Sequence, residues 1–479
     1  VNRFTIDANA KTTPFPHVWE ECVGSCHAAT ALREDWRRQM KKCREELGFK
    51  SVRFHGIFND DMSVYGMTDN GPYYSFFNVD QVYDFLLEIG MKPFVELSFM
   101  PGALASGSQT CFHYKANVTP PSDYNRWADL VENFARHLID RYGIDEVSKW
   151  YFEVWNEPES EYFWAGGKDG YFRLYRYSAE ALKRVDPRLR VGGPATGGEK
   201  WIDDMIAFCE DSGVPLDFIS THHYPTDVGI GFGHPMEERM AKSRRGVLKE
   251  KAVAVRQKAG KYPLFYTEWN NSPGNRDVYH DMPYASAFVV KTLADNQGLA
   301  DIYSYFAFTD IFEEMQTASA PFHGCFGLLN IHGVPKPNYR AFQILHELGT
   351  ERLPVEGGDS PTLEALAVRK GSEKLTIVLH NHNIPLSPIR EEPAQVVVMG
   401  IGRLKAATIQ RVDDNHCNPR KAWIEMGSPE YPSREQIRKL MDASELKTEA
   451  ISGEYEGEDL IFRVSVPPHG IAAITLELE

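Results

Sequence analysis

Along most of this chain, short runs rich in β-branched and aromatic residues alternate with longer stretches of helical periodicity. That alternation is what most limits its fold. The strand candidates are residues 17–24, 51–57, 92–99, 149–156, 190–195, 218–224, 264–270 and 302–310. A helix candidate follows each one. The clearest covers 122–143, where apolar positions recur at three and four, Ser122 is placed to cap the start and Gly143 to stop the end. The others cover 31–48, 79–90, 171–187, 201–213 and roughly 236–260, 281–298 and 338–349. Eight strand–helix units in about 335 residues predict an α/β fold, a (β/α)₈ TIM barrel over residues 15–349. A doubly wound open sheet is the structural alternative, but no glycine-rich dinucleotide turn follows the first strand.

After Gly349 the texture changes. Residues 362–370, 374–383, 394–402, 406–414 and 459–478 read as short strands separated by Gly, Pro and acidic turns. They predict a C-terminal antiparallel β-sandwich over 350–479, interrupted by one helix at 433–445. The opening residues 3–10 also alternate like a strand, so the segment 1–14 is expected to pair into that sandwich.

Composition narrows the partners. A formal net charge of -15 argues against a nucleic-acid binder and against an anionic substrate, and favours a neutral ligand. The seven cysteines are thinly spread and suggest no disulfide framework, and the close pair Cys22 and Cys26 lacks a second pair for zinc. Reduced thiols are the expectation. The chain opens VNRFTIDANA without a basic, apolar leader, and no apolar run approaches ~18 residues. The expectation is therefore a bacterial protein of the cytoplasm or periplasm that does not engage a membrane.

In a barrel of this kind the working residues sit at the C-terminal ends of the strands. Those positions hold His55, then Asn156 and Glu157, then His222, His223 and Tyr224, then Glu268, and finally Asp310, Glu313 and Glu314. Glu157 and Glu268 end strands four and seven, which lie across a closed eight-stranded barrel. Glycoside cleavage needs one acid to protonate the leaving oxygen and one carboxylate on the other side of the sugar ring. A lone rim glutamate is most simply an ion-pair partner. Two facing ones, with Asn156 directly before Glu157, are better explained by chemistry. His222 and His223 are adjacent on a strand and point to opposite faces, which disfavours a shared metal. Arg53 and Glu153 share parity with His55 and Glu157, so they are expected to form a buried pair one layer down.

Several segments together resemble glycoside hydrolase family 39, the β-xylosidase family of clan A. They are CVGSCHA (22–28), RFHGIFNDDMSVY (53–65), FMPGALASG (99–107), NVTPPSDYNRW (117–127), WYFEVWNEPE (150–159), FTDIFEE (308–314) and PFHGCFGLLNIHGVPKPNYRAF (321–342). The resemblance implies a retaining, two-step hydrolase that needs no metal or other cofactor, with Glu157 as acid/base and Glu268 as nucleophile. It also implies that Asn156 holds the sugar 2-hydroxyl, that Tyr224 donates to Glu268, and that His222 and His55 line the first subsite. Phe306, Glu313 and Glu314 complete the expected substrate-binding set. The sequence departs from the family pattern where Phe306 replaces a tryptophan, His113 an aromatic residue and Cys325 a glycine. Those changes bear on which sugar is bound and leave the catalytic pair intact.

The reading is thus an exo-acting hydrolase releasing a terminal neutral sugar from an oligosaccharide or glycoside. β-Glucosidase, β-galactosidase, arabinose-releasing and iduronidase activities stay open within the family, as do monomer and homo-oligomer. A catalytically silent glycan-binding barrel and a metal-dependent barrel hydrolase are the readings from other classes.

Overall fold

The computed structural model describes residues 1–229, 233–315 and 317–479. Eight parallel strands close into a barrel: Val23–His27, Ser51–His55, Lys92–Leu97, Tyr151–Val154, Arg190–Thr196, Phe218–His223, Leu264–Trp269 and Ile302–Tyr305. The last pairs with the first through Tyr305 and Val23. Helices surround the barrel. In Tyr124–Tyr142 the buried residues Trp127, Leu130, Val131, Phe134 and Leu138 lie at helical spacing, so one face packs inward.

The barrel interior is layered in a way that positions the site. Cys22, Phe94, Phe218, Phe265 and Ile302 form an apolar plug at the strand N-termini. Above it sits a buried polar layer, with Glu96 paired in register with Glu153 on the neighbouring strand. Side chains fill the lower barrel, so the polar layer is approached from the C-terminal rim.

Several boundaries differ from expectation for local reasons. The first barrel strand begins at Val23 rather than residue 17, because 17–20 form a turn in which the Glu20 amide donates to the His17 carbonyl. The eighth strand ends at Tyr305 rather than 310; beyond it, the amides of Phe308 and Asp310 bond to Gly24 and Leu329. Asp123, not Ser122, caps the 124–142 helix by accepting from the amides of Asn125 and Arg126. Ser122 is tied to the Leu104 carbonyl instead. The span 236–260 is two helices, Met236–Ala241 and Val247–Ala259, with Gly246 beginning the second.

The C-terminal strands form two facing sheets around Phe4, Ile6, Ile377, Val396, Phe462 and Ile474. Asn2–Asp7 lies in the five-stranded sheet, parallel to Glu392–Met399, while Thr13–Pro14 pairs with Glu351–Leu353 in the other. Two helices interrupt these strands rather than one, Pro419–Glu425 and Arg434–Ala443. Asn418 as cap and Pro419 in the first turn start the unexpected one. Among the described residues, no helix is long and apolar enough to cross a membrane.

Candidate active site

The fourth strand ends at Val154, and the chain then turns sharply, with left-handed backbone at Trp155 (φ 71°) and Glu157 (φ 42°). Such conformations cost side-chain-bearing residues about 1–3 kcal/mol each, and here they place Asn156 and Glu157 over the barrel mouth. Gly197, on the loop after strand five, makes room for Glu157. A Cβ there would lie 2.8 Å from Glu157 Oε1 and 2.9 Å from Glu159 Oε1.

Glu157 and Glu268 come together around His222. His222 Nδ1 lies 2.9 Å from Glu157 Oε1 and 3.4 Å from Glu268 Oε2. One donor atom from each of the three falls within 4.8 Å of the others. His222 is fully buried, and burial pushes its pKa down to about 4, so near neutral pH it is an uncharged hydrogen-bond partner.

Two groups hold the Glu268 carboxylate. The Tyr224 hydroxyl donates to Oε2 at 2.8 Å, and Arg53 Nη1 approaches Oε1 at 3.5 Å. Arg53 is the hub beneath the site. It also contacts Glu153 (2.5 Å), Glu96 (2.9 Å) and, through Nη2, Asn156 Oδ1 (3.0 Å). The expected Arg53–Glu153 pair is therefore present, and Thr267 donates to the other oxygen of Glu153 at 2.7 Å. Because Oδ1 of Asn156 accepts from Arg53, its amide NH₂ is left to donate to a ligand.

Burial raises the pKa of Glu157, helped by repulsion from Asp227, to about 7. Glu268 is also raised, by burial first and by repulsion from Glu157, while the Arg53 charge opposes the rise. His55 goes the other way from a typical buried histidine. Burial disfavours its charge, but Glu96 at 2.8 Å and Glu314 at 3.4 Å outweigh that and lift it to about 10.

The remaining expected residues are distributed unevenly. Glu314 faces His55 and joins the inner wall, and the Phe306 ring sits 6.2 Å from that of His55. Glu313 turns outward to Arg33 (2.8 Å) and His27 (3.6 Å). Asp310 lies below the rim, bound to Lys336. His223 points away from the mouth toward Glu199 and Tyr303.

Glu96, Glu159, Asp227 and Glu199 were not picked out in the sequence as site residues. Glu96 had a usable signal as the one carboxylate in the strand KPFVEL, and the strand register sets it on the same face as Arg53 and Glu153. Glu159 lies partly buried beside Glu157, and desolvation followed by that neighbour raises its pKa to about 8. The trio of Glu157, His222 and Glu268 has donor types that suit a metal ion. Yet Tyr224 and Arg53 already engage both oxygens of Glu268.

Comparison with known proteins agrees with this architecture. The family model for glycosyl hydrolases family 39 matches residues 2–458. A beta-xylosidase of Caldicellulosiruptor saccharolyticus is 54% identical over 100% of this chain and 99% of its own length. One from Geobacillus stearothermophilus is 36% identical over 90% of this chain and 86% of its own. The crystal structure of a monomeric beta-xylosidase from Caulobacter crescentus CB15 superposes with a TM-score of 0.87 at 31% identity, covering 100% of both chains. With a matching architecture, a family match along nearly its whole length and relatives of this similarity, the chain belongs to glycosyl hydrolases family 39 and is a glycoside hydrolase.

Proposed function

We propose that this glycoside hydrolase is an exo-acting β-xylosidase that retains anomeric configuration by double displacement. The observation that carries the mechanism is the close approach of Glu157 and Glu268 around His222, with donor oxygens within 4.8 Å. Retaining enzymes hold their carboxyl groups about 5–5.5 Å apart, whereas inverting enzymes leave about 6.5–9.5 Å for a water.

In the first step a Glu268 oxygen attacks the anomeric carbon as the glycosidic C–O bond breaks. The bonding pair goes to the leaving oxygen, which takes the proton of Glu157. In the second step the Glu157 carboxylate takes a proton from water, whose oxygen attacks the same carbon. The ester bond breaks and Glu268 is released. The electrostatics suit the division of labour. The Tyr224 and Arg53 contacts favour ionised Glu268, and a pKa of about 7 lets Glu157 start protonated. The Asn156 amide is the donor for the sugar 2-hydroxyl, a contact that strengthens as oxocarbenium character develops.

The exo reading rests on the buried inner wall of His55, Phe306 and Glu314, which leaves the sugar an end to abut rather than a cleft to thread. Xylose as the sugar rests on the relatives named above. A panel of aryl β-glycosides with product stereochemistry followed by NMR tests both parts. Fastest turnover of the xyloside with β-xylose as first product is expected. An α-product, or a strong preference for another sugar, would overturn the corresponding part.

A further inference from the structure

Among the described residues, a second set of imidazole and carboxylate donors converges at the opposite end of the barrel from the catalytic centre. His17 and Glu20 lie in the turn before the first barrel strand, and His346 lies in the last turn of the helix Pro337–Glu347. Glu20 Oε1 is 2.7 Å from His17 Nδ1 and 2.9 Å from His346 Nδ1, and all three donor atoms fall within 4.8 Å of one another.

The surroundings hold each donor from behind. His17 Nε2 lies 3.0 Å from the Gly349 carbonyl oxygen, an acceptor, so Nε2 carries a hydrogen. In the neutral ring this leaves the Nδ1 lone pair facing the Glu20 oxygen. That nitrogen and the Glu20 oxygen therefore face one another as possible ligand atoms. A ligand histidine whose other nitrogen donates to a backbone carbonyl is the usual outer-shell arrangement of metal sites. The His17 ring is further fixed by stacking on Trp19, with centroids 4.5 Å apart and planes at 22°. Gly48, in left-handed backbone at φ 75°, completes the cradle. A Cβ there would come within 2.4 Å of His346 Cε1 and 3.0 Å of Glu20 Oε2.

We propose that His17, Glu20 and His346 form a binding site for a divalent transition ion of the zinc class. Two imidazoles and one carboxylate suit such an ion better than calcium or magnesium, which prefer all-oxygen shells. His346 is 35% exposed, which gives an entry path and space for water as a fourth ligand. A tetrahedral ion with bonds of about 2.0–2.2 Å asks the donors to spread to roughly 3.4 Å, so the Glu20 carboxylate has to draw back from His17 Nδ1, now 2.7 Å away, while the partly exposed His346 ring moves outward. The ion would clip the N-terminal turn to the last barrel helix where the chain leaves at Gly349. Its role there is structural, as expected for the N-terminal face of a barrel.

The test is calorimetric titration of the chelator-treated full chain with Zn²⁺ alone, together with thermal melting. Because Glu157, His222 and Glu268 also converge, the titration is repeated on Glu157→Gln. One zinc equivalent is expected that survives Glu157→Gln, weakens at least tenfold in His346→Gln, and raises the melting temperature of the parent but not of His346→Gln. Glycosidase activity in chelator, and that of His346→Gln, should stay within twofold of the parent. Absence of zinc binding overturns the proposal, as does binding that persists unweakened in His346→Gln or disappears in Glu157→Gln. Should His17→Gln fail to fold, the half-exposed His346 still decides the matter.

Discussion

The Tyr224 hydroxyl donates to Glu268 Oε2 across 2.8 Å, on the carboxylate proposed to attack the sugar. Hydrogen bonds to a charged group are worth about 1.5–3 kcal/mol. Tyr224→Phe should therefore lower kcat/KM on an aryl xyloside roughly 10- to 100-fold. Loss of a donor to the ionised form raises the carboxylate pKa, so the acid limb of the pH profile should move to higher pH. A profile with both limbs and rate unchanged would remove Tyr224 from this role.

In the proposed mechanism the alkaline limb belongs to Glu157. As the proposed acid it must be protonated to assist departure of the first alcohol, so its pKa of about 7 should set where kcat/KM begins to fall in the free enzyme. Asp227 contributes to that value by repulsion, and its Oδ2 accepts from the Tyr224 amide at 2.8 Å. Asp227→Asn keeps an acceptor for that amide and removes the negative charge. Glu157 should then lose its proton more readily, and the alkaline limb should shift to lower pH. Stopped assays across pH 4 to 9 would read the shift, and a shift upward would contradict the electrostatic account.

Substitution of the two glutamates separates their roles. Glu268→Ala should lose at least about 1000-fold in turnover, and azide should restore product as the α-glycosyl azide. Glu157→Ala should still form the covalent intermediate from a dinitrophenyl xyloside, whose leaving group needs no proton, and then stall at its hydrolysis. A burst of phenolate followed by slow turnover is the signature to look for. Both variants retaining near-parental rates would refute the assignment.

The alternation of short strands and helices was enough to predict the barrel, because period-two and period-3.6 patterns record which face of each element is buried. Boundaries were less legible, since they depend on partners distant in sequence. Strand eight stops where Phe308 and Asp310 find amide acceptors at Gly24 and Leu329, and nothing in the run IYSYFAFTD marks that point. The candidate site divides in the same way. Glu157 and Glu268 stood out from their places at strand ends. Arg53 and Glu153 were paired by parity alone, and the structure joins them at 2.5 Å. Asp227 closes a single 3-10 turn and Glu159 lies in a turn, both too short for periodicity to give direction, so their closeness to Glu157 emerges only from the folded chain.

Lys336 supports the last prediction, one of stability. Its Nζ lies 2.6 Å from Asp281 Oδ1 and 2.8 Å from Asp310 Oδ2, with all three side chains fully buried. Burial alone would strip its proton, but the two carboxylates outweigh burial and raise its pKa. Lys336→Met would leave two buried carboxylates with their counter-ion gone, a change that costs about 3–5 kcal/mol in comparable sites. Adding Asp281→Asn should recover part of the loss by removing one stranded charge. Asp310 also begins the segment that carries Glu314 to His55, so the single variant should lose activity along with stability. In a chain of 479 residues the readout is best taken as the unfolding midpoint together with residual activity at permissive temperature. A Lys336→Met protein that melts and works like the parent would show that the triad contributes little to holding the rim.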